Sequence, residues 1–391
     1  MDKYKYERGK TMYITKRKYK IPVQLFLFSV FFAIYMFTAT LAGSTYNQLI
    51  YTELLAVRYL CYAGFIITDL YKFKSSKKQM FLLAVLILAS LIVSVKSGDN
   101  KLFCILIILV AAKGIDREYI AKLFVTVKGA AILFVVGSFF AGIITENTNT
   151  RLWQTEIRHS LGFNYSNNLS SFFFLLVAAY IYMKKNKVSI WEQAVILAVN
   201  YVIFYYTDAQ TSFILVIMAL LFCDVIKLFD KVEWYRYHNI FRIITLVFFI
   251  IPILTGYLYN GNQLFLTLNS FFSNRLNLVH NALNYYGVSL FGTHALSNAA
   301  NTSIMVDSGI VRMFLFGGII PAVFFGCVFV KMVDMYSEKN EIYMVILIFL
   351  IFIQGWMEAF TFEIVTNYFL FLIPSVLEKK NRNKQRIAEA L

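Results

Sequence analysis

Residues 21–42 read IPVQLFLFSVFFAIYMFTATLA, an apolar stretch without a charged side chain. A helix needs roughly 20 apolar residues to cross a bilayer core about 30 Å thick. The stretch predicts a membrane-spanning helix, because lipid offers no hydrogen-bond partners to a backbone of any other conformation. It is longer than the apolar region of a signal peptide and further spans follow it, so we expect an uncleaved first helix.

Similar stretches recur along the chain of 391 residues, of which 59% are hydrophobic and only 15% are charged. Soluble domains usually carry about 25% charged residues. We therefore expect an all-α fold, a polytopic membrane helix bundle in which residues 1–391 form a single transmembrane domain. The twelve predicted spans are 21–42, 50–70, 80–95, 101–113, 121–145, 168–183, 191–206, 210–226, 241–259, 306–330, 342–357 and 361–377.

The basic residues are divided unevenly between the two sides of this predicted bundle. If the N-terminus is inside, 29 of the 37 Lys and Arg residues lie on the inner side, 5 lie on the outer side, and 3 lie within spans. The positive-inside rule then places the basic tails 1–20 and 378–391 in the cytoplasm. The net charge of +15 is thus a topology signal in a bacterial cytoplasmic membrane, with the bilayer as partner and no nucleic acid.

Two predicted outer loops, 146–167 and 260–305, are long, polar and rich in Asn. They contain His159, His280 and His294, three of the four histidines. Loops of this length between spans are usually functional or disordered. Both also carry aromatic and aliphatic residues that could pack on the membrane face, so we expect ordered, functional loops.

Charged residues at membrane depth are costly and are therefore functional candidates. The predicted outer half contains Arg151, Glu156, Arg158, His159, Asp208, Arg275, His280, His294, Asp307, Arg312 and Glu358. This set lacks the three clustered ligands of a metal site, and the four cysteines lie in apolar stretches, so we expect no metal and no cofactor. Several arginines match a phosphate, because a guanidinium donates two charge-assisted hydrogen bonds at once.

On the outer face of a cytoplasmic membrane, the available diphosphate is that of a lipid carrier. The residue types therefore indicate group transfer from a lipid-linked donor, in which arginines hold the leaving diphosphate and a carboxylate or histidine deprotonates the acceptor hydroxyl. Structural roles remain open for several residues. Arg151 can anchor the interface, Asp307 and Arg312 can pair with each other, and Arg58 and Lys128 can pair or snorkel within the bundle.

Three segments carry a family resemblance. The first is RHSLGFNYSNN at 158–168, and the second is Ser273-Asn-Arg275 followed by Leu290-Phe-Gly292. The third is Val306-Asp-Ser308 followed by Phe316-Gly-Gly-Ile-Ile320, with Glu358, Glu363 and Asn367 downstream. In order and spacing they resemble the polysaccharide polymerases of the O-antigen polymerase/ligase group, over roughly residues 150–375. Where that family commonly has an arginine, this chain has Gln210, so the resemblance implies that Arg158 or Arg312 replaces that diphosphate contact.

The resemblance implies a membrane glycosyltransferase that moves a growing undecaprenyl-diphosphate-linked glycan onto a lipid-linked repeat unit. Arg158, Arg275 and, more weakly, Arg312 would bind the diphosphate. Asp307 would be the general base, with His280 or His294 as alternates, and the sugar contacts would be Asn168 and Glu358. A chain-length regulator and a flippase are the expected protein partners.

Three rival interpretations remain open at this stage. A ligase that moves glycan to another acceptor would need the same residue types. A flippase or another transporter of lipid-linked oligosaccharide would instead carry charges through the whole bilayer. A purely structural membrane protein would not need two long polar outer loops that bear His and Arg.

The charge asymmetry generates a topology prediction. Cysteines introduced at Thr150 and Tyr285 should react in whole cells with a thiol reagent that cannot cross the membrane. Cysteines introduced at Ser75 and Asn186 should not react, and the unmodified chain gives the background. The reverse pattern would invert the orientation and with it every site assignment.

Overall fold

A computed structural model describes residues 22–71, 77–150, 157–229, 231–294 and 305–377. Within these ranges the chain is helical, with two isolated β-bridges and no β-strand, which confirms the all-α prediction there. The predicted tails 1–20 and 378–391, and the loop segments 151–156 and 295–304, lie outside the described residues.

The helices of the first half are α1 (Val23–Ala42), α2 (Tyr46–Leu49), α3 (Tyr51–Tyr71), α4 (Lys77–Ser97), α5 (Lys101–Ala111), α6 (Arg117–Phe140), α7 (Ser166–Met183) and α8 (Ile190–Thr207). Those of the second half are α9 (Gln210–Leu228), α10 (His238–Leu258), α11 (Gln263–Phe271), α12 (Arg275–Tyr286), α13 (Gly309–Arg312), α14 (Ile319–Glu338), α15 (Ile342–Met357) and α16 (Ile373–Leu377). A π-helical turn spans Met313–Gly317, and 3₁₀ turns span Trp234–Tyr237 and Tyr368–Leu372.

Seven helices in the described part of the chain are long and apolar enough to cross a membrane, fewer than the twelve predicted spans. They lie in α1, α4, α6, α7, α9, α14 and, together with the preceding 3₁₀ turn, α10. Three further apolar helical segments, at Lys101–Ala111, Ile342–Met357 and Tyr368–Leu377, are shorter. The chain is therefore a helical membrane-embedded protein, while the number twelve is not confirmed.

The centre of the bundle is formed by α7, α9, α14 and α15, whose facing residues belong to one large hydrophobic core. α4 lies at the periphery, and only 17% of its apolar stretch is buried within the protein. Large apolar residues also point outward, for example Leu133 and Val95, which are 75% and 84% exposed. Lipid around the bundle accounts for such exposure, whereas water would not.

Both long loops lie at one end of the bundle, which we call the two-loop end. There Thr45 N donates to Gly162 O at 3.0 Å, and Arg275 Nε donates to Met357 O at 3.0 Å. Short basic connections lie at the opposite end, which we call the short-loop end. Its contacts include the ion pair of Lys185 with Glu118. The loop 260–305 is largely helical where it is described, because it contains α11 and α12.

The predicted span 306–330 is not one continuous helix. The chain is extended up to Ser308, forms α13 and the π-helical turn, and breaks at Gly318, whose φ is +92°. The loop that precedes this segment supplies hydrogen-bond acceptors at the break: Ile319 N donates to Ser289 O at 3.0 Å, and Ile320 N donates to Leu290 O at 3.1 Å. These amides begin α14 and would otherwise have no partner within the helix. A Cβ at Gly318 would lie 2.3 Å from Gly292 N, so only glycine fits this contact.

The predicted span 361–377 also differs from a membrane helix. Residues 358–367 form turns, and only short helical turns follow. This irregular segment is enclosed by the bundle, since the residues from Tyr368 to Ile373 are all buried. Asn367 supports its backbone by donating to Thr361 O and accepting from Phe369 N, both at 2.9 Å. Non-helical backbone at membrane depth is tolerated where protein, rather than lipid, surrounds it.

Candidate functional site

Glu358 is the first residue after α15, and its side chain is buried although it carries a carboxyl group. Its Oε1 atom accepts a hydrogen bond from Asn167 Nδ2 at 3.0 Å and lies 3.7 Å from Arg275 Nη2. A carboxyl group removed from water needs such partners, because an isolated buried charge is costly. Glu358 therefore links α15 to both α7 and α12.

Arg158 reaches the same carboxyl group through Asn167. Its Nη2 atom donates to Asn167 Oδ1 at 2.5 Å, and its Nε atom donates to Thr207 O at 2.8 Å. The backbone of Arg158 is held by an antiparallel bridge to Asn149, with N–O distances of 2.9 and 3.2 Å. Nη2 also lies 3.4 Å from Asp208 O, so the guanidinium sits beside the short segment between α8 and α9 that leads to Gln210.

Arg275 begins α12 and caps the end of another helix, α15, by donating from Nε to Met357 O at 3.0 Å. A cation at a helix C-terminus is favourable, because the last carbonyls carry partial negative charge. A tight turn aims the side chain there. Ser273 and Asn274 have φ values of +51° and +66°, and Asn269 holds them by donating to Asn274 Oδ1 at 2.7 Å.

Asp307 lies half-buried beside this network. Ser308 caps α13 by accepting from Val311 N at 3.4 Å, and it donates to Gly355 O at 3.2 Å. Gly309 then packs so closely that a Cβ there would lie 3.0 Å from Glu358 O. The two acidic side chains are close enough to repel each other electrostatically. No ion pair joins Asp307 to Arg312, both of which the structure describes; Arg312 lies over the Phe316 ring, 5.8 Å from its centroid.

We call Arg158, Asn167, Arg275, Asp307 and Glu358 the Glu358 cluster. Burial is the largest influence on Glu358 and raises its pKa to about 8. The positive charges of Arg275 and Arg158 act to lower this pKa, and the negative charge of Asp307 acts to raise it. Desolvation thus outweighs the two guanidinium groups, because it penalises the charged carboxylate directly. The cluster places a buried carboxyl group next to two guanidinium groups and a second, half-buried carboxyl group, an arrangement suited to acid–base chemistry on an anionic substrate.

The two predicted alternate bases lie elsewhere. Both ring nitrogens of His280 are engaged, Nδ1 with Gly256 O at 2.9 Å and Nε2 with Asn284 Nδ2 at 2.9 Å. Since Nδ1 must donate to a carbonyl, His280 is held as the tautomer that accepts at Nε2, and it fastens α12 to α10. His294 is exposed and packs against Gly98, between α4 and α5.

A cavity of about 480 Å³ adjoins the cluster, and we call it the polar cavity. Gly309 and Ala359, neighbours of Asp307 and Glu358, form part of its wall. Two other predicted site residues, Asn168 and Arg312, line it rather than joining the cluster. Its remaining charged lining residues are Arg58, Asp99, Lys101 and Glu363.

Sequence reasoning missed two residues of this region. Asn167 makes the hydrogen bonds at the centre of the cluster, whereas the sequence predicts its neighbour Asn168 as the sugar contact. Only the helical register of α7 separates the two residues. The sequence leaves a structural role open for Arg58, yet this residue lines the polar cavity, and among the described residues it donates from Nε to Leu54 O at 3.2 Å. The signal available in the sequence was a basic residue placed among apolar residues of a predicted span.

Among the described residues, no group of three or more His, Cys, Asp or Glu could hold a metal ion. Comparison of the chain with protein-family models, with curated proteins and with solved structures found no significant match.

The raised pKa of Glu358 generates a stability prediction. The folded protein retains the Glu358 proton from the ordinary pKa of 4.5 up to about 8, whereas the unfolded chain releases it near 4.5. The folded state therefore binds more protons in this window, and stability falls as the pH rises through it. Glu358→Gln keeps an oxygen to accept from Asn167 and cannot ionise, so we expect this fall to disappear.

Thermal unfolding of detergent-solubilised protein at about pH 5 and about pH 9 measures the effect. Glu53→Gln, an exposed substitution in α3, is the control and should leave the pH dependence of the wild type unchanged. An unfolding temperature that drops with pH as steeply in Glu358→Gln as in the wild type would contradict the assignment.

Proposed function

We propose that the chain is an integral-membrane glycosyltransferase of the polysaccharide-polymerase type, acting on the outer face of a bacterial cytoplasmic membrane. The observation that carries the proposal is the Glu358 cluster. It brings Arg158, Arg275, Asp307 and Glu358, from four separate parts of the sequence, to the end of the bundle that bears both long loops. Buried acidic groups beside guanidinium groups suit transfer from a diphosphate donor.

The proposed reaction needs no nucleotide sugar. A hydroxyl at the non-reducing end of a lipid-linked repeat unit attacks the anomeric carbon of a glycan carried on undecaprenyl diphosphate. The new glycosidic bond forms as the bond from the anomeric carbon to the diphosphate oxygen breaks, and the leaving diphosphate takes the electron pair. The hydroxyl proton passes to a base of the protein, so the reaction is balanced without an external reagent.

We assign the proposed roles from the contacts of each residue. Arg275 is the stronger candidate for the diphosphate. Its Nε atom donates to Met357 O, but its Nη2 atom lies 3.7 Å from Glu358, which is too far for a hydrogen bond and leaves this atom able to donate to a ligand. Arg158 acts mainly through Asn167, which it positions against Glu358. Asp307 is the proposed general base, since it is half-buried and stands beside the cavity wall formed by Gly309. A chain-length regulator and a flippase remain the expected partners.

Arg275→Lys tests the diphosphate assignment. Lysine keeps the positive charge but cannot form the two-pronged contact of a guanidinium, so we expect a loss of at least about 100-fold in polymerisation. In cells, high-molecular-weight polysaccharide should disappear while single lipid-linked repeat units accumulate. Arg242→Lys is the matched control, because Arg242 pairs with Asp334 at the short-loop end. Polymer of normal length and amount in Arg275→Lys would remove Arg275 from the site.

Asp307→Asn tests the general base. The amide has nearly the same size but cannot take a proton, and loss of a general base typically costs about 10²–10⁴-fold. We expect turnover per folded molecule to fall within this range while lipid-linked substrate still binds. Asp334→Asn, at the short-loop end, is the control. A folded Asp307→Asn protein with more than about a tenth of wild-type turnover would remove the general-base role from Asp307.

Reconstitution separates the proposal from its rivals. Purified protein in vesicles that contain only lipid-linked repeat units should produce glycans of many repeat units. A ligase would need a different acceptor and would add glycan to it without elongating the repeat units. A flippase would move the substrate across the bilayer and form no glycosidic bond.

A further inference from the structure

Two guanidinium groups line the polar cavity from different parts of the fold. Arg58 comes from the middle of α3, and Arg312 ends α13. Neither has an ion-pair partner within the described part of the chain: Arg58 donates to the backbone of Leu54, and Arg312 lies over Phe316. The third cation, Lys101, differs, because it is paired with Glu363 at 2.9 Å. Lys101 also lies 3.8 Å from Asp99, the second carboxylate of the lining. The cavity lining therefore carries a net positive charge and includes two guanidinium groups outside the ion pairs of the described residues, which favours an anionic ligand.

Asn168, one of the residues that line the cavity, has a buried side-chain oxygen without a hydrogen-bond partner among the described residues. Asn168 is 3% exposed, its Nδ2 atom lies 3.5 Å from Gly43 O, and its Oδ1 atom accepts no hydrogen bond. A buried acceptor without a hydrogen bond is costly, so a ligand that donates a hydrogen bond to it would relieve that cost. Hydroxyl groups of a sugar supply such donors. The cavity thus suits a ligand that combines negative charge with hydroxyl groups.

An apolar groove of about 510 Å³ continues from the polar cavity, and Leu102, Ile105 and Phe325 line both. The groove lies between α4, α5, α14 and α16. It follows α4 from Ser90 to Gln79, a length of about 16 Å at 1.5 Å per residue. Because α4 is the peripheral helix, the groove lies next to the lipid that surrounds the bundle.

We propose that the polar cavity and the apolar groove together bind one polyprenyl-diphosphate-linked saccharide, and that this molecule is the acceptor of the transfer reaction. The diphosphate lies between Arg58 and Arg312, the first sugar donates to Asn168, and the first part of the hydrocarbon chain follows the groove. The identity of the lipid as a glycan carrier rests on the proposed function. The division into a charged head site and an apolar tail site rests on the wall that the cavity and the groove share at Leu102, Ile105 and Phe325.

The acceptor assignment follows from the presence of two separate cationic positions. Polymerisation uses two diphosphate lipids at once, of which only the donor loses its glycan. Arg275 stands in the Glu358 cluster, next to the proposed base, where the donor bond must break. The polar cavity adjoins this cluster at Gly309 and Ala359, so a saccharide anchored at Arg58 and Arg312 can extend its far end toward Asp307.

Binding to the purified full-length chain tests the site without any turnover. The probe is farnesyl diphosphate, with inorganic diphosphate as the head alone and farnesol as the tail alone. Arg58→Gln and Arg312→Gln should each weaken farnesyl diphosphate binding by about tenfold or more, and Arg58→Lys by less, because a charge is retained. Ala89→Trp, which fills the groove, should weaken farnesyl diphosphate and farnesol but not inorganic diphosphate.

Each variant has a matched control elsewhere in the fold. Arg242→Gln removes an arginine at the short-loop end, and Leu133→Trp enlarges an outward-facing residue that is 75% exposed. Neither control should change binding. Unchanged farnesyl diphosphate affinity in Arg58→Gln and Ala89→Trp would overturn the inference. Displacement of farnesyl diphosphate by phosphatidylglycerol as readily as by unlabelled farnesyl diphosphate would also overturn it, because the groove would then hold ordinary membrane lipid.

Kinetics separate this inference from the proposed function. If the chain polymerises, Arg58→Gln should raise the KM for lipid-linked repeat unit by about tenfold while kcat stays within about twofold, because its contact is made equally in ground and transition states. A fall in kcat without a change in KM would overturn the acceptor assignment. If the wild type forms no glycosidic bond but the binding results hold, the lipid site stands and the transferase function fails.

Discussion

The burial of Glu358 is the constraint around which the two-loop end is built. A carboxyl group in this position must be neutralised or hydrogen-bonded, and its partners are Asn167 on α7 and Arg275 on α12. Arg158 extends the network to Thr207 at the end of α8. One buried acidic group thereby joins three helices and a loop that are distant in sequence, and the same contacts that hold these elements together assemble the candidate site.

The second constraint is the satisfaction of backbone groups where the helices are interrupted. The break at Gly318 would leave the first amides of α14 without partners inside an apolar bundle, and the loop at Ser289 and Leu290 supplies them. Asn367 performs a similar task in the enclosed segment after α15. Interrupted helices bring polar residues to membrane depth, and both interruptions lie beside the polar cavity or the Glu358 cluster. We therefore regard them as part of how the site is formed.

The polar cavity and the Glu358 cluster differ in what they offer a ligand. In the cluster, Glu358 accepts from Asn167 and lies 3.7 Å from Arg275, and desolvation is the largest influence on its pKa. In the cavity, Arg58 and Arg312 have no ion-pair partner in the described chain, and the Asn168 oxygen is unsatisfied. The first arrangement suits proton transfer, and the second suits binding. Their shared wall places the two next to each other.

Apolar stretches long enough to require helices, and the uneven distribution of Lys and Arg, determined by themselves that this chain is a helical membrane protein. The sequence also supplied four of the five cluster residues, because isolated charges in apolar surroundings are conspicuous. It did not reveal the broken helix at Gly318 or the enclosed segment at Tyr368, since both have the composition of ordinary spans.

Only the tertiary structure decided which charges meet. Asp307 and Arg312 are close in sequence yet form no ion pair, whereas Glu358 pairs with Arg275 across 83 positions of sequence. It also separated Asn167 from Asn168, which project from α7 toward the Glu358 cluster and the polar cavity respectively. The physical reason is that local periodicity fixes the face of one helix, while long-range pairing depends on how the faces of several helices pack together.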